Sequence, residues 1–139
     1  MERRVRVFYY GSFINLDVLK KSDVTPERVD TARLFGWEIR IAPLATIIPA
    51  PDAIVYGIVA DCSHAELDRL YSQDWVGGYL PEAVSIETLD GARFPALTYI
   101  KWGSEQKPAS RDYIERIAAP AERLGFPEWY LKHIRSFVP

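Results

Sequence analysis

Cysteine and histidine are both scarce in this chain of 139 residues, which has one cysteine, Cys62, and two histidines, His64 and His133. A single cysteine cannot form a disulfide within the chain, so we predict that Cys62 is a reduced thiol that packs as a small hydrophobic side chain. The two histidines lie far apart in the sequence, with no cysteine or carboxylate at ligand spacing. This scarcity argues against a disulfide framework and against a metal site.

The chain also lacks an excess of positive charge and any long apolar run. Its 17 basic and 19 acidic residues give a net charge of −2, which argues against nucleic acid and acidic membranes as partners. No window approaches the roughly 20 apolar residues of a membrane span. The run from Val5 to Tyr10 is too short for a signal peptide. We therefore expect a cytoplasmic protein.

Repeats, linkers and low-complexity segments are absent too, which predicts one domain over residues 1–139. The hydrophobic content of 48% and the aromatic content of 13% are typical of a globular chain. Alternating apolar positions and turn signals predict a mixed α/β (α+β) fold with a largely antiparallel sheet. The expected strands are 5–10, 31–41, 45–48, 53–61, 82–89 and 93–102, with a turn at 49–52 and a polar loop at 103–110. The expected helices are 16–21, 65–71, one from Arg111 and 128–136, the first three capped by Asn15, Ser63 and Ser110. The apolar side chains of the last helix are expected to face inward: Trp129, Tyr130, Ile134 and Phe137.

The segment around Gly11 joins the first predicted strand to the first helix. Gly11 follows the strand, and Ser12 precedes the helix cap at Asn15. A strand that ends in a Gly-Ser turn before a helix leaves backbone N–H groups unpaired, and these could hold an anionic or carbonyl oxygen. An ordinary tight turn is the alternative interpretation, and these residues alone leave both open.

Acid–base chemistry is the remaining catalytic possibility, because Ser12 has no nucleophile-elbow context and no phosphate loop is present. Asp74 precedes Trp75 and follows an amphipathic helix, which is predicted to carry Leu67, Leu70 and Tyr71 on its apolar face. A carboxylate beside a tryptophan in a poorly solvated cleft has a raised pKa and could act as a general base near neutral pH. Alternatively, Asp74 only caps or solvates a loop. The other carboxylates considered are expected to be solvated surface residues: Glu66, Glu82 and Glu87.

Several segments, in order, resemble the γ-glutamylcyclotransferase family, and the resemblance runs almost end to end. Phe8 to Ser12 is similar to that family's aromatic-Tyr-Gly-Ser-Asn loop, and Ala32 to Ile39 is similar to its second strand. Leu44 to Val59 is similar to its Ala-Thr-Ile and Val-Tyr-Gly strands. Leu67 to Asp74 is similar to the segment with its catalytic glutamate, and Leu124 to Tyr130 is similar to its Gly-Leu-Pro-x-x-Tyr segment. The resemblance implies a small, mostly antiparallel β-barrel flanked by helices.

The resemblance also implies a reaction, in which the substrate's α-amine attacks its own γ-glutamyl carbonyl. This closes 5-oxoproline and releases an amine or amino acid. Asp74 stands where the family has its catalytic glutamate and is the implied general base. No cofactor is implied, and the partner is a small γ-glutamyl molecule bound by a monomer or homodimer. The implied substrate-binding residues are Tyr10, Gly11, Ser12 and Phe13, with Tyr113 lining the pocket or donating a hydrogen bond.

Two departures from the family pattern leave alternatives to this activity. Asp74 is one methylene shorter than glutamate, which retracts the carboxylate by roughly 1–1.5 Å, a displacement that costs on the order of a hundredfold in rate where geometry is tight. Phe13 replaces an asparagine and favours a more apolar pocket. One alternative is a relative that binds a γ-glutamyl-like or amine metabolite without turnover; another is a related cyclisation of a different substrate. Further aromatic residues that could line the pocket are Trp75, Tyr79 and Trp102.

Overall fold

The computed structural model describes residues 3–103 and 107–138. Within them, five strands close a barrel in the order β1-β3-β2-β4-β5. Strand β1 pairs with β5 in parallel, and the other paired strands are antiparallel. This confirms the predicted mixed, mostly antiparallel barrel with flanking helices. The strands are β1 (Arg4–Tyr9), β2 (Glu27–Ile41), β3 (Ala45–Ser63), β4 (Leu80–Thr88) and β5 (Arg93–Ile100), and the helices are α1 (Leu16–Lys21), α2 (His64–Tyr71), α3 (Arg111–Arg123) and α4 (Glu128–Arg135), with a 3₁₀ turn at Ser12–Ile14.

The long β2–β3 hairpin corrects the predicted turn at residues 49–52. Strand β3 is continuous through this segment, and Pro49 lies opposite Trp37 of β2. The pairing shifts register between Phe35 and Trp37, where Gly36 has a φ of +86°. The register places the bulge in β3, where residues 50–53 lie opposite Gly36 alone, and a proline that cannot donate to the ladder is tolerated at a bulge.

The predicted helix caps are confirmed at all three positions. Asn15 accepts a hydrogen bond from the amide of Asp17, and Ser110 accepts one from the amide of Tyr113. Ser63 and Glu66 form a reciprocal capping box at the start of α2. In α4, Trp129 was expected to face inward, but it is 54% exposed. The predicted loop at 103–110 lies partly outside the described residues.

Ion pairs with buried carboxylates join β1, β2, β3 and α2. The Asp61 carboxylate pairs with Arg6 at 3.0 Å and with Arg28 at 2.5 Å. Glu66 pairs with Arg4 at 3.1 Å. The expectation that Glu66 is a solvated surface residue is wrong, since its exposure is 7%. The same expectation is wrong for Glu87, which is half-buried between Arg33 and Arg93.

Cys62 is buried, in keeping with the prediction that it packs as a small hydrophobic side chain. Its Sγ lies 3.1 Å from the hydroxyl oxygen of Tyr9. Burial raises the pKa of the Cys62 thiol, so this side chain is protonated at neutral pH and contributes to packing.

No helix in the described part of the chain is long and apolar enough to cross a membrane.

Candidate functional site

A cleft with a cavity volume of about 30 Å³, open to solvent at its mouth, lies where β1 passes into the 3₁₀ turn. The start of β3, the end of α2 with the turn after it, β5 and α3 complete its wall. Its lining contains eight aromatic side chains and no charged residue. The lining residues are Tyr9, Tyr10, Gly11, Ser12, Phe13, Leu44, Ala45, Tyr71, Trp75, Val76, Tyr79, Tyr99 and Tyr113.

The loop after β1 packs tightly against the start of β3. Gly11 has a φ of −102°, so its role here does not depend on a left-handed backbone. A Cβ built on Gly11 would lie 3.2 Å from the Cβ of Ala45, which is tighter than ordinary van der Waals contact. In the described part of the chain, the amides of Ser12 and Phe13 donate no hydrogen bond to another residue. These two N–H groups are therefore available to a ligand oxygen.

Two tyrosine hydroxyls bind the backbone of Ala45, one at its amide and one at its carbonyl. The Tyr113 hydroxyl oxygen accepts a hydrogen bond from the Ala45 amide at 3.0 Å, and the Tyr79 hydroxyl donates to the Ala45 carbonyl. A third hydroxyl, that of Tyr10, donates to the carbonyl of Tyr99 at 2.5 Å. Most of the hydroxyls in the cleft are thus occupied by the protein itself.

Burial sets the ionisation of these phenols. It raises the pKa of Tyr10 and Tyr79 beyond the physiological range, and it also raises the pKa of Tyr113 above its ordinary value. The cleft consequently presents neutral hydroxyls at neutral pH. None of these tyrosines can serve there as a general base, because a general base must be deprotonated near the working pH in order to accept a proton.

Tyr71 is the centre of the aromatic wall. Its ring stacks on Tyr99 with 3.8 Å between centroids and 13° between planes. Phe13 meets it edge-on, at 5.6 Å and 88°, and Tyr79 lies 6.1 Å away. Phe13 also contacts Trp75 at 5.8 Å. Such edge-to-face and stacked pairs hold each ring in a defined orientation.

The capping box explains why α2 delivers Tyr71 to the cleft. Glu66 accepts hydrogen bonds from the amide of Ser63 at 2.9 Å and from the amide of Thr25 at 2.7 Å. Leu67 and Leu70 are buried on the face that meets the barrel. Because the first turn is fixed by these contacts, the last residue of α2 has a defined position beside β5.

Comparison with known proteins places the chain in a family. The model of the AIG2-like family matches residues 54–134, more than half of the chain. The chain belongs to the AIG2-like family. This confirms, for the family, the resemblance seen in the sequence.

Named relatives of this AIG2-like chain include γ-glutamylcyclotransferases. The mouse and human proteins of that name are 26% and 28% identical to it over 98 residues. The matched stretch is 69% of this chain and 52% of each relative, so the chain matches about half the length of these curated relatives. A solved structure titled γ-glutamyl cyclotransferase superposes with a TM-score of 0.84 at 22% identity, covering 99% of this chain and 89% of that one, which shows a shared fold.

Five of the six site residues expected in this AIG2-like chain line the cleft together: Tyr10, Gly11, Ser12, Phe13 and Tyr113. The sixth, Asp74, is exposed in the turn after α2 and is not part of the lining, although Trp75 beside it is. Its role as a general base stays a prediction. Tyr79 also lines the cleft, whereas Trp102 packs near Trp37 at 6.1 Å and does not.

Three further lining residues were not predicted as site residues: Tyr9, Tyr71 and Tyr99. Tyr71 was placed on the apolar face of α2, a signal that indicates burial but not which cavity the ring borders. Tyr99 comes from β5, and only the parallel β1–β5 pairing brings that strand beside the loop after β1. In the described residues, no group of three or more His, Cys, Asp or Glu side chains could hold a metal ion.

Proposed function

We propose that this AIG2-like chain binds a small γ-glutamyl compound in the aromatic cleft and holds it without rapid turnover. The observation that carries this proposal is the lining itself, which combines free amides at Ser12 and Phe13 with neutral phenols and contains no carboxylate. The amides suit the α-carboxylate of the ligand. The aromatic rings suit an apolar amine portion beyond the γ-amide bond.

Cyclisation to 5-oxoproline is the second candidate, favoured by the name of the mouse and human relatives. In this reaction the α-ammonium loses a proton, the amine attacks the γ-carbonyl carbon, and the C–N bond to the leaving amine breaks as that amine takes up a proton. Asp74 would serve as the carboxylate that accepts and returns the proton. The amides of Ser12 and Phe13 would then donate hydrogen bonds to the developing oxyanion or to the α-carboxylate.

The position of Asp74 favours binding over cyclisation. A general base has to come within hydrogen-bond reach of the proton that it removes, about 2.6–3.2 Å between heavy atoms. Asp74 is exposed and outside the lining, and the tyrosines inside the cleft are neutral. Efficient cyclisation would therefore need the turn after α2 to bring Asp74 inward.

Calorimetric titration and 5-oxoproline release, measured on the same panel of γ-glutamyl amino acids and γ-glutamyl amides, test both candidates. We expect saturable binding of at least one compound at one site per chain, with no enzymatic release of 5-oxoproline. Release that disappears in Asp74→Asn, but persists in the matched surface variant Asp52→Asn, would establish cyclisation with Asp74 as base instead. If no compound binds, the proposed function is wrong.

A further inference from the structure

The hydroxyl of Tyr71 differs from most others in the cleft. The hydroxyls of Tyr10, Tyr79 and Tyr113 are hydrogen-bonded to backbone groups. Within residues 3–103 and 107–138, the Tyr71 hydroxyl has no hydrogen-bond partner. Its oxygen is also not among the fully buried atoms that lack a partner, so it retains some exposed surface, and Tyr71 lines the cleft.

The structure does not need this hydroxyl to position the ring. Tyr71 is held by stacking on Tyr99 and by the edge-on contact with Phe13, and both contacts involve ring atoms only. Its backbone belongs to α2, which the capping box fixes. A phenylalanine would make the same ring contacts, so fold stability does not explain an oxygen here.

Tyr99 is the other stacked tyrosine without a hydroxyl partner in the described chain, and its surroundings differ. Burial is the largest cause of the raised pKa of Tyr99, and the Asp68 carboxylate and Cys62 raise this pKa further. Asp68 lies on the exposed face of α2, outside the cleft lining. For Tyr71, the neighbours that add to the effect of burial are the tyrosines Tyr9, Tyr10, Tyr99 and Tyr79. The Tyr71 ring also stacks on Tyr99 and lies 6.1 Å from Tyr79, and both of these rings line the cleft.

When a ligand enters a mostly apolar cleft, a polar group there loses its hydrogen bond to water. Binding is strongest when a ligand atom replaces that hydrogen bond. Burial raises the pKa of Tyr71 well above its ordinary value, so at neutral pH its hydroxyl carries a proton to donate. No cation lines the cleft, and a ligand carboxylate would find two donors at the amides of Ser12 and Phe13 but only one at Tyr71. The matching ligand group is an uncharged oxygen acceptor.

We propose that the Tyr71 hydroxyl is the specificity-determining donor of the cleft and that it binds the uncharged γ-amide carbonyl of the ligand. This deepens the proposed function and rests on it. The ligand then enters with its amide beside Tyr71 and its α-carboxylate at the amides of Ser12 and Phe13. An analogue without the carbonyl leaves the hydroxyl unpaired.

The test uses two probes and two phenylalanine variants of the full chain. The probes are L-γ-glutamylethylamide and L-2-aminooctanoic acid, a carbonyl-free analogue of similar length. The variants are Tyr71→Phe and the matched control Tyr130→Phe, which removes a buried phenol outside the cleft. Thermal unfolding of each variant checks the fold, and calorimetric titration gives each dissociation constant.

We expect Tyr71→Phe to weaken binding of γ-glutamylethylamide by about 5- to 30-fold, the range for losing one hydrogen bond and leaving its partner unpaired. Binding of 2-aminooctanoic acid should change by less than about twofold, and Tyr130→Phe should leave both constants unchanged. Equal affinity of the wild type and Tyr71→Phe for the amide, or equal loss for both probes, would overturn the role of Tyr71 alone. Failure of the wild type to bind the amide would overturn this inference, and failure across the whole γ-glutamyl panel would also overturn the proposed function.

Discussion

At the scale of single residues, Gly57 of β3 is where the barrel leaves least room. A Cβ built at this position would lie 2.1 Å from the carbonyl oxygen of Tyr9 and 2.9 Å from the ring of Phe8. Both neighbours belong to β1, which leads into the cleft, and both are buried. Neither the backbone oxygen nor the packed ring can move aside without disturbing the β1–β3 pairing.

We therefore predict that Gly57→Ala lowers the free energy of unfolding by more than about 3 kcal/mol, as overpacking of a well-packed core does at its upper end. Urea unfolding measures this. The matched control is Gly77→Ala, where the nearest atom lies 4.0 Å from the built Cβ and the expected change is within about 0.5 kcal/mol. A loss below about 1 kcal/mol for Gly57→Ala would contradict this picture of β1 and β3.

Asp74 and Tyr71 show where residue-level prediction from the sequence ends. The pattern Leu67, Leu70, Tyr71 correctly indicated a buried face of α2, and Asp74 was correctly placed in the turn after it. The direction in which the turn carries its side chains depends on packing against Phe13, which no local pattern encodes. As a result, the aromatic residue beside Asp74 reached the cleft and the carboxylate did not.

At the scale of elements, local signals predicted α2 and the other capped helices well, because a cap is decided by residues three apart. The Ser63–Glu66 capping box is an example. The unbroken course of β3 through Pro49 was not predictable in this way. It depends on a register shift opposite Gly36, which is a property of the paired strands and not of either one alone.

Glu66 connects α2 to the rest of the molecule and yields a prediction for that element. We expect Glu66→Ala to destabilise the protein by about 2–4 kcal/mol, because it removes an acceptor from three donors and leaves Arg4 without its partner. We also expect weaker ligand binding, because α2 carries Tyr71. Urea unfolding and calorimetric titration measure the two effects.

The matched control for Glu66→Ala is Asp68→Ala, an exposed carboxylate on the same helix. Its expected effect on unfolding is within about 0.5 kcal/mol. If the two variants unfolded alike, the contacts of Glu66 would contribute no more than an ordinary surface charge.

At the scale of the whole molecule, the order of strands around the barrel was beyond the composition and periodicity of the sequence. These indicated a largely antiparallel sheet, and the barrel itself came from the family resemblance. Closure requires the parallel contact of Val7 and Phe8 in β1 with Leu97 and Thr98 in β5. Such a contact joins segments about 90 residues apart. Whether it forms depends on packing across the whole molecule, which must offset the entropy lost in closing so long a loop.

Acid sensitivity is a whole-molecule property that the ion pairs predict. Burial tends to raise the pKa of Asp61, but hydrogen bonds from Arg28 and Arg6 outweigh it and hold this pKa below its ordinary value. The pKa of Glu66 is likewise lowered, because burial is outweighed by the amides of Ser63 and Thr25. A carboxyl with a lowered pKa in the folded state stabilises the protein above its unfolded pKa of about 4, and that contribution is lost as the pH falls through the folded value.

Urea unfolding between pH 7 and pH 2.5 should thus show nearly constant stability down to about pH 5 and a decline below it. Asp61→Asn should be less stable than the wild type at pH 7 and should decline less steeply on acidification. The control is Asp52→Asn, an exposed carboxylate, whose curve should run parallel to that of the wild type. Parallel curves for Asp61→Asn would mean that Asp61 does not carry the acid response.

Alkaline titration tests the neutral character of the cleft. Seven of the eight tyrosines have a raised pKa, and burial is the largest cause for each of them. Their stabilising effect is complete below the unfolded pKa of about 10 and is lost as the pH rises toward the folded values. The folded chain should therefore resist ionisation at a pH where the unfolded chain ionises fully.

We predict that absorbance at 295 nm, followed from pH 8 to pH 12, rises in the folded protein by a small fraction of the amplitude seen in guanidinium. The remaining amplitude should appear together with alkaline unfolding monitored by circular dichroism. Ligand affinity should stay constant up to about pH 9, except for the ionisation of the ligand's own amine, which a parallel titration of the free ligand corrects. A folded-state titration that matched the unfolded one would mean that the phenols are solvated, and a cleft of solvated phenols would not select an uncharged carbonyl through Tyr71.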